Sequence, residues 1–274
     1  MIFDFANYDQ LIPLVTNSLI AAALLGLVGG LIGIFVMTRD MSFAVHGVSE
    51  LSFAGASIAL LLGADVVAGS IAGSLVAALI IGVLGSRAKD RNSIIAVLMP
   101  FGLGLGILAL SLYPGRASNK FGLLTGQIVS VNGTSLEWLA GIAILVILSL
   151  VIIWRPLSFA SLDPEVAAAR GVKTGALSVI FLVLLGLAVA ASVQVVGALL
   201  VLSLLVTPAA AALRVTSSPK LAPVLSVAFA LTSSVGGILL ALGGGLPISP
   251  YITSISFAIY LVCRLVAYAR KVRK

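Results

Sequence analysis

The feature that most constrains this chain is the recurrence of apolar runs about 20 residues long, the length a helix needs to cross a bilayer. Nine are read along the sequence, at 14–37, 43–62, 66–86, 93–113, 134–154, 176–191, 194–212, 221–242 and 247–268. The second, sixth and seventh are short or interrupted, so eight spans with one re-entrant or broken helix stays open. Only 9% of the 274 residues are charged, against about 25% in soluble domains. The runs are too long for barrel strands, which alternate over about 10 residues. The fold class is therefore an all-α polytopic transmembrane bundle, with residues 1–274 as a single membrane domain.

Orientation follows from the loop cations, since cytoplasmic loops collect Lys and Arg. With nine spans and the C-terminus inside, 14 of the 16 basic residues fall on the cytoplasmic side. Arg116 and Lys120 fall outside. The reading is N-terminus out and C-terminus in, and the net charge of +7 belongs to these loops and not to a nucleic-acid partner. The N-terminal stretch carries Asp4 and Asp9 without a cation, unlike a signal peptide, so the first run is expected to be retained. Cys263 is alone, which excludes an intrachain disulfide and cysteine-based zinc spacing.

Small residues recur at four-residue spacing: Gly26 with Gly30, Gly29 with Gly33, and a cluster at Gly102, Gly104 and Gly106. Such faces let backbones approach closely in lipid, which argues for a tight bundle and is compatible with an oligomer. Pro208 and Pro250 each remove a backbone donor and mark possible breaks. Between Arg155 and Thr174, the segment SLDPEVAAARGVKTG reads as a separate short helix over about 161–172, with Asp163 as N-cap, Pro164 at the first helical position and Gly171 as the stop. It is either an idle interfacial helix or one held out for another protein. No nucleotide-binding signature is present. The chain is therefore not expected to be an enzyme, and active transport would draw on a partner or an ion gradient.

The sole histidine, His46, lies four residues before Glu50 in RDMSFAVHGVSELSFAG, Arg39 to Gly55. In a helix these two share one face. Ionisable groups in spans usually face the bundle interior or a water-filled path, and imidazole with carboxylate suits Zn²⁺ and Mn²⁺. The alternatives are a surface histidine bonded to a loop and a buried, neutral acid. Ser49 and Ser52 flank the pair as weak hydroxyl donors. Gln194 is expected to cap freed backbone groups at a break, Asp65 to sit in an outer turn and Glu137 to be solvated. Asn17 and Gln127 are the other polar residues in or near spans.

Three segments resemble the ABC-3 family of permease subunits from zinc and manganese ABC importers. That family typically has Arg-Gly-Met-Ser, an Asp–x–x–x–His pair and then Pro-Gly. Arg39, Met41, Ser42 and Gly55 match, with Asp40 for the Gly and Ala54 for the Pro. The segment SFASLDPEVAAARGV is similar to the family's ATPase-docking helix, and VVGALLVLSLLVTPAAAA, Val195 to Ala212, to a late family segment. GLLTGQIVSVNG, from Gly122, adds weaker support. The departure is at the pair: His46 stands where the family has Asp, and Glu50 where it has His, so the two donor types are kept with their order reversed.

The resemblance implies a type II ABC importer permease in a bacterial plasma membrane. It implies transport of Zn²⁺ first and Mn²⁺ second, with no permanently bound cofactor. His46 and Glu50 would line the metal path. Asp163, Pro164, Glu165, Ala168, Arg170 and Gly171 would meet a cytoplasmic ATPase. A second permease copy and an extracytoplasmic metal-binding protein would complete the assembly. The rivals are a permease for a metal chelate or cobalamin-like cargo and a proton-coupled secondary transporter using Glu50. The span boundaries put His46 near the cytoplasmic end, so either the second span starts earlier, after a turn at Arg39–Asp40, or the pair guards the inner exit.

Overall fold

The computed structural model describes residues 8–85, 88–115, 131–243 and 248–272. Arg116, Lys120, Gln127 and most of the glycine-rich stretch from Gly122 lie outside them. The described residues are helical, with no strand among them. After short turns over Tyr8–Leu11 and Ile12–Val15 come α1 (Thr16–Thr38), α2 (Ser42–Leu61), α3 (Val66–Leu84), α4 (Ala88–Leu112), α5 (Gly133–Leu162), α6 (Pro164–Ala169), α7 (Thr174–Val196), α8 (Val201–Leu205), α9 (Thr207–Val215), α10 (Leu221–Leu242) and α11 (Ile248–Val272). Eight helices among the described residues are long and apolar enough to cross a membrane.

The seventh expected span, 194–212, is not one helix. α7 runs on to Val196, and the chain then breaks at Gly197 (φ 89°). A 3₁₀ turn over Ala198–Leu200 and the short α8 and α9 follow. The break comes from a glycine whose positive φ suits no residue with a Cβ. Gln194 lies inside α7, not at the break. Pro208 and Pro250 sit in the first turns of α9 and α11, where the missing N–H has no intrahelical partner to lose. They start helices and do not break them.

α5 also overruns its expected end at 154, continuing through Arg155 and Pro156 to Leu162. The apolar run ends at the first charge, but the helix does not. The long loop expected from Arg155 to Thr174 thereby shrinks to α6 and its two flanks.

The chain divides into two compact units, one of residues 1–37, 127–141 and 202–274, the other of residues 38–126 and 142–201. In the first, α1 uses two glycine faces. A methyl at Gly30 would strike the Val227 backbone of α10, and one at Gly33 would overlap the Leu205 carbonyl. Both glycine pairs of α1 are thus occupied inside the chain, and neither is left over for an oligomer. Ile34, Ala209, Ala212 and Ala222 form an apolar cluster beside them.

In the second unit, α2 packs against α3, α4 and α7. Gly55 and Gly73 bring α2 and α3 into backbone contact: a methyl at Gly55 would overlap the Gly69 carbonyl oxygen, and one at Gly73 that of Leu51. Gly102 and Gly106 of α4 lie against Leu51 and Phe53 of α2, whereas Gly104 faces open space. Asp65 caps α3, its carboxylate accepting from the Ala68 N–H at 2.7 Å. The outer helices leave large apolar side chains exposed, among them Val97 and Leu108 of α4 and Leu148 and Ile152 of α5, as lipid-facing surfaces do.

Candidate functional site

α2 is the anomaly among the eight long helices. Its mean hydropathy, 1.4, is the lowest of them, yet 72% of it is buried, the highest share. A lipid-facing helix must be apolar all along its outer side; an enclosed one can carry polar groups where neighbours or a water-filled path receive them. The polar residues of α2 are therefore on the inside of the protein by placement as well as by type.

The helix starts at Ser42, directly after Asp40 turns the chain at φ 52°. Asp40 is the only described non-glycine residue in the left-handed region. That conformation favours Gly, and Asp or Asn are the side chains that tolerate it best. It accounts for the glycine expected here from the family pattern and for why aspartate can replace it. Starting at Ser42, α2 places His46 in its second turn and Glu50 a full turn deeper.

His46 Nε2 lies 3.5 Å from Glu50 Oε1, across one turn. The His46 side chain is 26% exposed and that of Glu50 4%. His46 Nδ1 and Glu50 Oε2 are buried with no hydrogen-bond partner. Buried polar atoms in native structures are nearly always satisfied, and an exception calls for a reason such as an ion or function. Here one nitrogen and one oxygen donor stand on a common face, each with unused capacity. Among the described residues no third His, Cys, Asp or Glu joins them, so a cation held here would take two ligands from this chain and the rest from water or another chain.

The flanking serines are committed elsewhere. Ser49 Oγ donates to the Ala198 carbonyl at 3.1 Å, in the 3₁₀ turn after the α7 break. Ser52 Oγ is 2.7 Å from Ser70 Oγ and 3.1 Å from the Ser70 carbonyl. They position α2 and are not spare donors. Sequence reasoning passed over Ser57, whose Oγ is buried and unpartnered. At 3.6 residues per turn, positions 46, 50 and 57 fall within about 40° of arc. The recurring spacing along α2 was the signal for it.

The second site element is α6. Asp163 caps it, its carboxylate accepting from the Val166 N–H at 3.0 Å. Gly171 (φ 85°) ends it, and the Val172 N–H bonds back to the Ala167 carbonyl at 3.0 Å, the six-to-one closure typical of a glycine-terminated helix. Ala167 is fully buried. Asp163, Pro164, Glu165, Ala168, Arg170 and Gly171 are all exposed. The helix is pinned by one small residue and by its caps, and presents the rest outward. Asn17 is exposed and donates to the Val131 carbonyl at 3.4 Å, while Glu137 is exposed at the start of α5.

The chain is 31% identical over 235 residues to the manganese transport system membrane protein MntC of Halalkalibacterium halodurans, covering 84% of this chain and 80% of that one. It is 30% identical over 252 residues to the manganese import system permease protein ScaB of Streptococcus gordonii, covering 92% and 90%. Among solved structures, PsaBC from Streptococcus pneumoniae in complex with Fab superposes with a TM-score of 0.85 at 27% identity, covering 95% of each chain. A putative metal-chelate type ABC transporter in an inward-facing conformation shares the fold at a TM-score of 0.72 and 20% identity. The ABC 3 transport family matches residues 11–267, nearly the whole sequence, and the chain belongs to that family.

Proposed function

We propose that this chain is the membrane permease subunit of an ABC importer for a divalent first-row transition metal, with Mn²⁺ ahead of Zn²⁺. The observation that carries the reading is the pair of buried, half-used donors on one face of α2, His46 Nδ1 and Glu50 Oε2, in a chain of this family. An imidazole and a carboxylate accept either metal. The sequence alone ranked zinc first; relatives named for manganese favour the other order. Two protein ligands per chain suit a cation that must be released again. A second copy would supply the remaining ligands in a homodimer.

A cytoplasmic ATPase would engage the exposed residues from Asp163 to Gly171, and an extracytoplasmic metal-binding protein would deliver the ion. With the broken segment Val201–Val215 counted as a ninth crossing beside the eight long helices, the orientation is N-terminus out and C-terminus in, in a bacterial plasma membrane. ATP-driven movement of α6 would bias the bundle between outward-open and inward-open states. His46 and Glu50 would hold the partly dehydrated ion between them; no covalent step is needed.

The test is radioactive Mn²⁺ and Zn²⁺ uptake into vesicles containing the chain, with and without its ATPase. Uptake should require ATP and fall at least about 100-fold in Glu50→Ala, with His46→Ala close behind, since even outer-shell partners of metal ligands contribute 10–100-fold. ATP-independent uptake, or unchanged uptake in both variants, would overturn the reading.

A further inference from the structure

Away from the His–Glu pair, the unit formed by residues 38–126 and 142–201 holds a recess of about 500 Å³. It lies where α3 and α5 end and α4 and α7 begin, and reaches Pro164 at the start of α6. Arg39 and Arg91 line it. Arg39 is held in place from three sides. Its Nη1 donates to Ser161 Oγ at 3.3 Å, its Nη2 to Ser178 Oγ, and its guanidinium carbon stands 5.6 Å from the centre of the Phe181 ring. Arg91 Nη2 donates to the Arg39 carbonyl at 3.3 Å. The Nε–H groups of both arginines are buried and have no partner.

Neither guanidinium forms an ion pair among the described residues. The described carboxylate in the lining is Asp40, which is exposed and near enough for its charge to act on Arg91. Burial, and after it the charge of Arg91, lowers the pKa of Arg39 from its usual value. Two cations facing one half-enclosed space, both anchored and both with unused donors, form an arrangement that an anion completes. Thr174 and Gly175, the first residues of α7, also line the space, and the opening N–H groups of a helix lack intrahelical partners and favour negative charge.

We propose that this recess binds a phosphate group, as an anionic phospholipid headgroup or as free phosphate, through Arg39 and Arg91. Planar guanidinium forks match phosphate oxygens in pairs, and basic pockets between helix ends on the cytoplasmic side are of the kind that takes lipid headgroups. The bound phosphate ties the α1–α2 turn, from which the His–Glu helix starts, to the ends of α5 and α7 that flank α6. Only the naming of this face as cytoplasmic rests on the proposed transport function.

The test uses the purified, delipidated full chain in detergent, with no metal and no ATPase, so it reads independently of transport. Phosphatidylglycerol, phosphatidylcholine and inorganic phosphate are offered in turn, and binding is followed by native mass spectrometry and by thermal stability. Phosphatidylglycerol retained about tenfold over phosphatidylcholine would mark the lipid source, and stabilisation by inorganic phosphate alone the free anion, at the strength expected of charge-assisted hydrogen bonds. Arg39→Gln and Arg91→Gln should each weaken the binding about fivefold, the worth of one surface cation toward anionic lipid. Asp40→Asn keeps a side chain that tolerates the left-handed turn and should strengthen it. Binding that ignores headgroup charge, with no response to phosphate, overturns the proposal. Should the arginine variants fail to fold, an unchanged affinity in Asp40→Asn overturns it as well.

Discussion

In the unit built from α1 and α8 to α11, three buried serine hydroxyls are spent on neighbouring backbones. Ser226 donates to the Gly30 carbonyl at 2.7 Å, Ser234 to that of Ala22 at 3.0 Å, and Ser256 to that of Ser203 at 3.0 Å. Each hydroxyl meets a carbonyl of another helix or turn. In the unit built around α2, Ser49 and Ser52 do the same, but His46 Nδ1, Glu50 Oε2 and Ser57 Oγ remain without partners on one stripe of one helix. Both units use close glycine contacts, so packing style does not separate them. What separates them is that α2 carries three such groups on one stripe, whereas the serines named in the other unit are consumed by structure. The consumed hydroxyls fix the register of helices; on the proposed reading the stripe serves the cation.

Four substitutions sharpen that comparison. The largest effect is expected from Gly55→Leu, which forces side-chain atoms into the Gly69 carbonyl; overpacking here should cost about 3 kcal/mol or more and abolish monodisperse protein by size-exclusion chromatography. Asp163→Ala removes the α6 cap for about 1 kcal/mol. It should leave the thermal unfolding of the bundle nearly unchanged while lowering ATP-driven uptake, because α6 is a surface element. The smallest effects form a matched pair. Ser226→Ala loses a satisfied interhelical bond and should destabilise by about 0.6 kcal/mol. Ser57→Ala removes an unsatisfied group and should be neutral or slightly stabilising, while metal uptake falls. If Ser57→Ala destabilised as much as Ser226→Ala and left uptake intact, the distinction between the two units would collapse.

Much of this was legible in the sequence because lipid leaves few options. The apolar runs identify the long helices, and Asp163, Pro164 and Gly171 mark both ends of α6, since caps are local chemistry. The four-residue spacing of His46 and Glu50 puts them on one face whatever surrounds them. The break near Gly197 was misplaced because the apolar run 194–212 continues through it; hydropathy does not register a backbone angle. The ends of α4 and α5 were missed for the related reason that a helix outlasts its apolar window, with Arg91 and Arg155 lying inside helices. Arg39 reads from the sequence as a loop cation and a match to the family pattern, with no partner to hold it. Its hydroxyl partners, Ser161 and Ser178, are more than 120 residues away, and nothing local announces them.

The backbone contact between α2 and α3 has a kinetic consequence. Gly55 lies on Gly69, and Gly73 on Leu51, with no side chain between them, so neither helix can slide without lifting the other clear. The Ser52–Ser70 bond adds a second tie on the same seam. His46 and Glu50 are carried by the same helix, so a displacement of their backbone takes that seam with it. On the proposed reading, access to the pair changes by moving α2 and α3 as one body, a motion of microseconds to milliseconds. A step that slow can be timed by a partner, and on that reading the glycines that let the helices touch make the pair answerable to a distant event.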